Sequence, residues 1–332
     1  MAENDTQAQG GETGEKFGIL YGRKWQIKIF KEDTSLDVSD LKCVFKATYN
    51  MGTALSVGTL TVYNMNAQTE AAVITEGFEI SIFGGYEQGQ YGEIYTGRIV
   101  QVIRNREDGI NYKLEILAVN GFKELEQNWV RSSIAAQATP REIAQQVLGQ
   151  ADTPLGEGQI SEKLSQQPLP RGKILFGKPY KYLREIALNN NAFFQLNNEK
   201  KVDLICITDE IPENMLLYLT PETGLVGTPK YTDNGIQIQM LLDARVKLQS
   251  LIHIDNELIQ AQHVAIDPSM SGKNNSTPQQ TVFDENGEYQ VLQVIHSGDT
   301  WGDDWTTSVI AVPRNGKGGL PTQLKSDAQT MQ

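Results

Sequence analysis

The residue types most apt for chemistry gather in HSGDTWGDD, where His296, Asp299, Asp303 and Asp304 lie close together. An imidazole beside carboxylates could hold a metal ion or move a proton. Metal sites draw further ligands at defined spacings, and this run lacks both a second histidine and the regular acidic spacing of a calcium loop. Its glycines and aspartates are turn formers, because an aspartate side chain bonds the backbone two residues on. The expectation is a turn whose carboxylates serve the backbone and face solvent.

The other candidates weaken in the same way. His253 and His263 lie near acidic residues, but neither has a serine or cysteine nucleophile in context. There is no G-x-S-x-G elbow, no H-E-x-x-H, no Walker A and no dinucleotide fingerprint. GGYEQGQYG (84–92) lacks the lysine and hydroxyl residue of a phosphate loop and reads as a hairpin turn. Tyr180 and Tyr182, beside Lys178, Lys181 and Arg184, could stack on nucleic-acid bases; on a short amphipathic helix they are expected to be ordinary surface. Asn274-Asn275-Ser276 fits a glycosylation sequon, which a chain without a secretion signal would not use. The sequence thus predicts no catalytic, cofactor-binding or metal-ligating residue and no enzyme.

Composition agrees. Formal net charge is −12 over 332 residues, with no basic stripe of the kind that holds nucleic acid. No apolar run approaches the roughly 20 residues that span a bilayer, and residues 1–16, polar and Gly-rich, read as a disordered arm rather than a secretory signal. The two cysteines, Cys43 and Cys206, each sit in an apolar run, where a buried reduced thiol is expected rather than a disulfide.

The elements that position these residues are mostly strands. Between residues 17 and 127, Trp25/Ile27/Ile29, Cys43/Phe45/Ala47, Phe78/Ile80/Ile82 and Tyr112/Leu114/Ile116 alternate with polar residues, and many short strands with one helix (Asn66 capping 67–74) read as a β barrel or sandwich. Residues 128–226 read as a compact α+β unit. Thr139, Pro140 and Glu142 form a helix start with a capping box, residues 151–172 read as loop, Pro179 opens a second helix and 193–207 a hairpin. Residues 224–235 read as a linker, and Val246, Leu248, Ser250 and Ile252 alternate as a strand. A long polar loop follows at 267–288, then a hairpin over 289–312, with Val291, Gln293 and Ile295 on one face and Leu292, Val294 and His296 on the other. The last unit is placed at 227–315, and the tail, 316–332, is expected to be flexible.

One internal echo stands out. VQVI (100–103) matches LQVI (292–295); each is followed by a polar loop, an aromatic residue (Tyr112 or Trp305) and a strand ending Ala-Val, at 118–119 and 311–312. Two related β units in one chain are implied.

With VYNMNAQTEAAVITEGFEISIFGGY (62–86), IYTGRIVQVIR (94–104), TPREIAQQVL (139–148), TGLVGTPKYTDNGIQIQMLLDARVKLQSLIHI (223–254) and GEYQVLQVIHSGDTWGDDWTT (287–307), the chain resembles the central baseplate hub proteins of contractile-tailed bacteriophages and related injection systems. Leu242-Asp243-Ala244 departs from the leucine-asparagine-proline step common there. The resemblance implies a mainly β fold, with two tail-tube-like β-barrel or sandwich domains flanking a smaller α+β domain. It implies a homotrimer whose six tube-like domains form a ring joining the six-fold tail tube to the three-fold spike. Its partners would be the tail spike protein, the tail tube or tube-initiator protein and other baseplate proteins, with DNA only passing through the lumen and no stable membrane association. The place would be the virion baseplate, after synthesis in the host cytoplasm. A tube initiator is the alternative within this class. A tail-associated cell-wall hydrolase, the alternative outside it, would need paired carboxylates or a Cys–His pair in a cleft.

Overall fold

The computed structural model describes residues 20–31, 34–51, 55–73, 78–107, 109–197, 200–206, 209, 216–232, 235–261 and 287–314. The arm at 1–16, His263, the sequon, the loop expected at 267–288 (up to residue 286) and the tail at 316–332 lie outside these residues.

The first third holds β1 (Arg23–Lys31), β2 (Thr34–Asp37), β3 (Cys43–Asn50), β4 (Val57–Tyr63), α1 (Ala67–Val73), β5 (Glu79–Tyr86), β6 (Tyr91–Glu107) and β7 (Asn111–Val119). Then come β8 (Val130–Ile134), α2 (Pro140–Gly149), β9 (Gly156–Ile160), β10 (Lys173–Gly177), α3 (Pro179–Asn189), β11 (Ala192–Leu196) and β12 (Lys201–Cys206). The last third holds β13 (Leu216–Tyr218), β14 (Lys230–Thr232), β15 (Gly235–Leu241), β16 (Leu251–His253), β17 (Gln260–Ala261), β18 (Glu288–Asp299) and β19 (Trp305–Pro313).

The protein is mainly β with an α+β insertion. The first and last thirds share a 14-stranded sheet in the order β17-β14-β15-β19-β18-β3-β4-β7-β6-β5-β1-β2, with β16 and β13 branching from β18. The seam is β18 against β3, antiparallel from Gln293↔Asn50 to Asp299↔Val44. Two cores lie along it. One gathers Ile27, Phe45, Leu60, Ile82, Tyr95 and Ile116, and takes in Leu242 and Trp305 from the last third. The other gathers Ile236, Ile252, Tyr289, Val291, Val294 and Val309. The first is wrapped so closely around the Tyr95 ring that a Cβ on Gly58 would lie 2.3 Å from it.

The inserted unit has its own core, built from α2, α3 and the strands beside them. Its helices start as their residues dictate. The Thr139 hydroxyl accepts from the Glu142 amide while the Glu142 carboxylate accepts from the Thr139 amide at 2.8 Å, a pairing in which the cap contributes about 1 kcal/mol. Pro179 opens α3, and Asn190 ends it. β11 and β12 form the expected hairpin. Part of the expected loop at 151–172 is a strand instead. GEGQI carries almost no apolar signal, yet β9 runs parallel to β12.

Two other expectations change. Residues 224–235 are not a free linker: Leu225 bridges to Met240, and β14 pairs with β15. Of the strand expected through Val246 and Leu248, only Leu251–His253 forms. The Asp243 carboxylate accepts from the Arg245 amide at 2.9 Å, and Gln249 takes φ 70°, so the chain turns twice before straightening.

The echo is resolved in full. In the β6–β7 hairpin, Ile99↔Ala118 is followed by Gln101↔Leu117, leaving Val100 bulged. In β18–β19, Val291↔Ala311 is followed by Gln293↔Ile310, leaving Leu292 bulged. The first residue of each matching tetrapeptide is the bulge, and Tyr112 and Trp305 hold equivalent places opposite Arg106 and Gly298. A bulge inserts one residue and resets the inside–outside phase. Hence Val291, Val294 and His296 all face inward, correcting the simple alternation expected of this strand.

Candidate functional site

The hairpin that gathers His296 and the aspartates does not bring them to one site. His296 is buried on the inward face, its Nδ1 2.9 Å from the Thr307 hydroxyl, with Tyr49 edge-on 6.1 Å away. The Asp243 amide donates to the same hydroxyl at 3.1 Å. Burial pulls the ring's pKa down to about 4, against the opposing pulls of Asp243 and of a hydrogen bond to the Val246 backbone. Asp243 itself is buried and forms a forked pair with Arg245. His296, Thr307 and Asp243 form a buried polar strut beneath the seam, which ends at the half-buried Arg245.

The turn uses its aspartate as expected. Asp299 accepts from the amides of Trp301 and Gly302, both at 2.9 Å. Arg23 reaches in from β1 and donates to the Gly302 and Asp303 carbonyls. Among the described residues, no group of three or more His, Cys, Asp or Glu is placed to hold a metal ion.

The remaining candidates are placed as structure. Tyr182 is buried, and its hydroxyl accepts from the Phe176 amide at 2.7 Å; Tyr180 packs edge-on against Phe194. His253 tilts against Tyr218, and residues 84–92 form the β5–β6 hairpin. Both cysteines are buried and free. Burial, with Asp299 and Asp37 nearby, pushes the Cys43 thiol up to about 12.

What sequence reasoning did not find are surfaces. Every step from β6 through β7, β4 and β3 to β18 is antiparallel. β6 and β18 therefore run the same way, and both hairpin tips project from one edge of the sheet. Each tip carries an exposed apolar residue, Ile110 (82%) and Trp301 (70%). A second apolar surface lies on β10, where Ile174 (79%) and Phe176 (66%) face outward and Trp129 packs on Phe176 at 5.6 Å. The alternation in KILFG was the available signal for it, shortened to five residues by flanking glycines.

Together these features define a class: a β protein whose first and last thirds carry hairpins of one register and are fused in one sheet. It has the fold of phage tail proteins. Solved structures that share it include the 43 kDa tail protein of prophage MuSo2 from Shewanella oneidensis, with TM-score 0.55 and 9% identity over 88% of this chain and 98% of that one. The tail protein from Neisseria meningitidis MC58 gives 0.54 and 8% identity over 90% and 98%. No protein-family model and no curated protein matches the sequence. Among the described residues no helix is long and apolar enough to cross a membrane.

Proposed function

We propose that this chain is a structural, non-enzymatic protein of a phage tail, and specifically the trimeric baseplate hub. The observation that carries this reading is the pair of hairpins with one register, one bulge position and one direction. A chain holding two copies of one unit turns three chains into six near-equivalent positions, which is the geometry needed to join a six-fold tail tube to a three-fold spike. In this reading 17–127 and 227–315 are the tube-like domains and 128–226 is the domain between them. Closing a ring pairs sheet edges between subunits and leaves none exposed. The net charge of −12 supports a lumen through which DNA slides without adhering.

Light scattering with negative-stain imaging tests the proposal. Three chains per particle in a six-lobed ring is the expected result, and a chain that stays monomeric alone and with spike and tube proteins overturns it. A basic inner surface would sink the lumen argument. Reproducible cleavage of purified peptidoglycan would favour the hydrolase alternative instead.

A further inference from the structure

We infer that β10 is a docking edge for an extended acidic segment of another protein, which adds to it as a third strand. β8 and β10 form a two-stranded sheet of their own, so among the described residues no strand covers the far side of β10. An open edge bearing Ile174 and Phe176 is an association site unless something covers it. The strand alternates as recognition by strand addition requires: Leu175 is inside the core, and Ile174 and Phe176 stand outside it. The Phe176 amide points away from β8 and already donates to the buried Tyr182 hydroxyl at 2.7 Å, which caps the edge at that residue. Antiparallel pairing alternates, so the Ile174 amide and carbonyl point to the same side, and they are the pair that an added strand would take. Pro170 and Pro179 bracket the segment and limit the added strand to about five residues.

Charge selects the occupant. From Lys163 to Arg184 the chain has six cations (Lys163, Arg171, Lys173, Lys178, Lys181, Arg184) and no Asp or Glu, against −12 for the whole. Lys173 and Lys178 already hold Glu185 and Glu126, while Arg171 and Lys181 are exposed. A second copy pairing β10 to β10 would bring like charges together, so the complement is an acidic strand. Nucleic acid fits less well: Tyr180 and Tyr182 pack against the protein's own core, and the exposed aromatics of this face, Phe176 and Trp129, pack on each other. The inference stands apart from the trimer reading and holds or fails without it.

The test is binding of a fluorescent, end-capped heptapeptide of alternating Asp and Val to the full chain at low salt, followed by anisotropy. Binding should weaken about tenfold when Arg171→Glu and Lys181→Glu are combined, and the Lys/Val peptide should not bind. Ile174→Pro should abolish binding while circular dichroism and melting stay near wild type, because that substitution removes only an outward amide. No binding by the acidic peptide, binding indifferent to Ile174→Pro, or equal binding by a dT20 oligonucleotide that displaces the peptide would each overturn the inference.

Discussion

The β6–β7 and β18–β19 hairpins share a register and a bulge position, yet they live in different surroundings. Val100, the bulged residue of the first, is 39% exposed, whereas Leu292 is 2% exposed and packs with Met51, Phe193 and Ile205. The inserted unit supplies Phe193 and Ile205, so the second bulge anchors it and the first has no such cover. Four residues past the bulge, Arg104 occupies the place of His296. Arg104 lies over Tyr112 and pairs with Glu70 at 3.0 Å near solvent, whereas His296 belongs to the buried strut. A hairpin's geometry follows from pleat and turn; its energetic weight follows from what is laid against it.

The largest expected contrast is at the equivalent aromatics. Trp305 is fully buried, 5.5 Å from Phe45 and 6.0 Å from Trp25. Trp305→Ala should cost about 3–5 kcal/mol in urea unfolding, whereas Tyr112→Ala, half-buried between Arg104 and Arg106, should cost about 1 kcal/mol. Equal losses would mean that the hairpins are energetically equivalent after all. At the bulges, Leu292→Ala should cost about 2–5 kcal/mol and Val100→Ala no more than about 0.5 kcal/mol. If limited proteolysis of Leu292→Ala fails to expose the inserted unit, the anchoring role assigned to Leu292 is lost.

His296 separates the hairpins by pH. Its folded pKa lies near 4 against an ordinary 6.5, so the folded state binds fewer protons than the unfolded state between these values. The contribution is intact above about pH 6.5 and is lost progressively as pH falls toward 4, by roughly 3 kcal/mol in all. β6 and β7 contain no histidine, so the first hairpin has no counterpart to this group. Urea midpoints measured from pH 7 to pH 4 should therefore flatten in His296→Phe relative to wild type. An unchanged slope in that variant would assign the acid sensitivity to other groups.

Much of this contrast was legible before the fold was known. The echo of VQVI and LQVI, Tyr112 with Trp305, and the paired Ala-Val endings all mark register, which depends on local pleat and turn residues. The capping box at Thr139 was legible for the same reason. The bulges were not, because a bulged Val100 or Leu292 has the composition of any strand residue, and only the partner's register exposes it. β9 was hidden because GEGQI is held by pairing with β12, not by its own pattern. The strand expected at Val246–Ser250 failed because Asp243 bonds locally to Arg245, which the alternation of Val246 and Leu248 could not register. The aspartate turn was read correctly as turn chemistry, while the inward role of His296 depends on the bulge at Leu292 and on the Asp243 amide, which comes from outside the hairpin.

The smallest expected effect concerns the tips. Ile110 and Trp301 are mostly exposed, and side chains with so little packing change stability by no more than about 0.5 kcal/mol when truncated. Ile110→Ala and Trp301→Ala should therefore leave the melting midpoint within about 2 °C of wild type. Both tips project along the strand axes, while the ring proposed above would close through sheet edges at right angles to them. Truncation should then leave the particle mass unchanged and weaken only stacking against whatever meets that edge, with Trp301→Ala weakening it more, as tryptophan does when it anchors an interface. A loss of mass in either variant would place the tips inside the ring contact and would make the two hairpins partners across subunits.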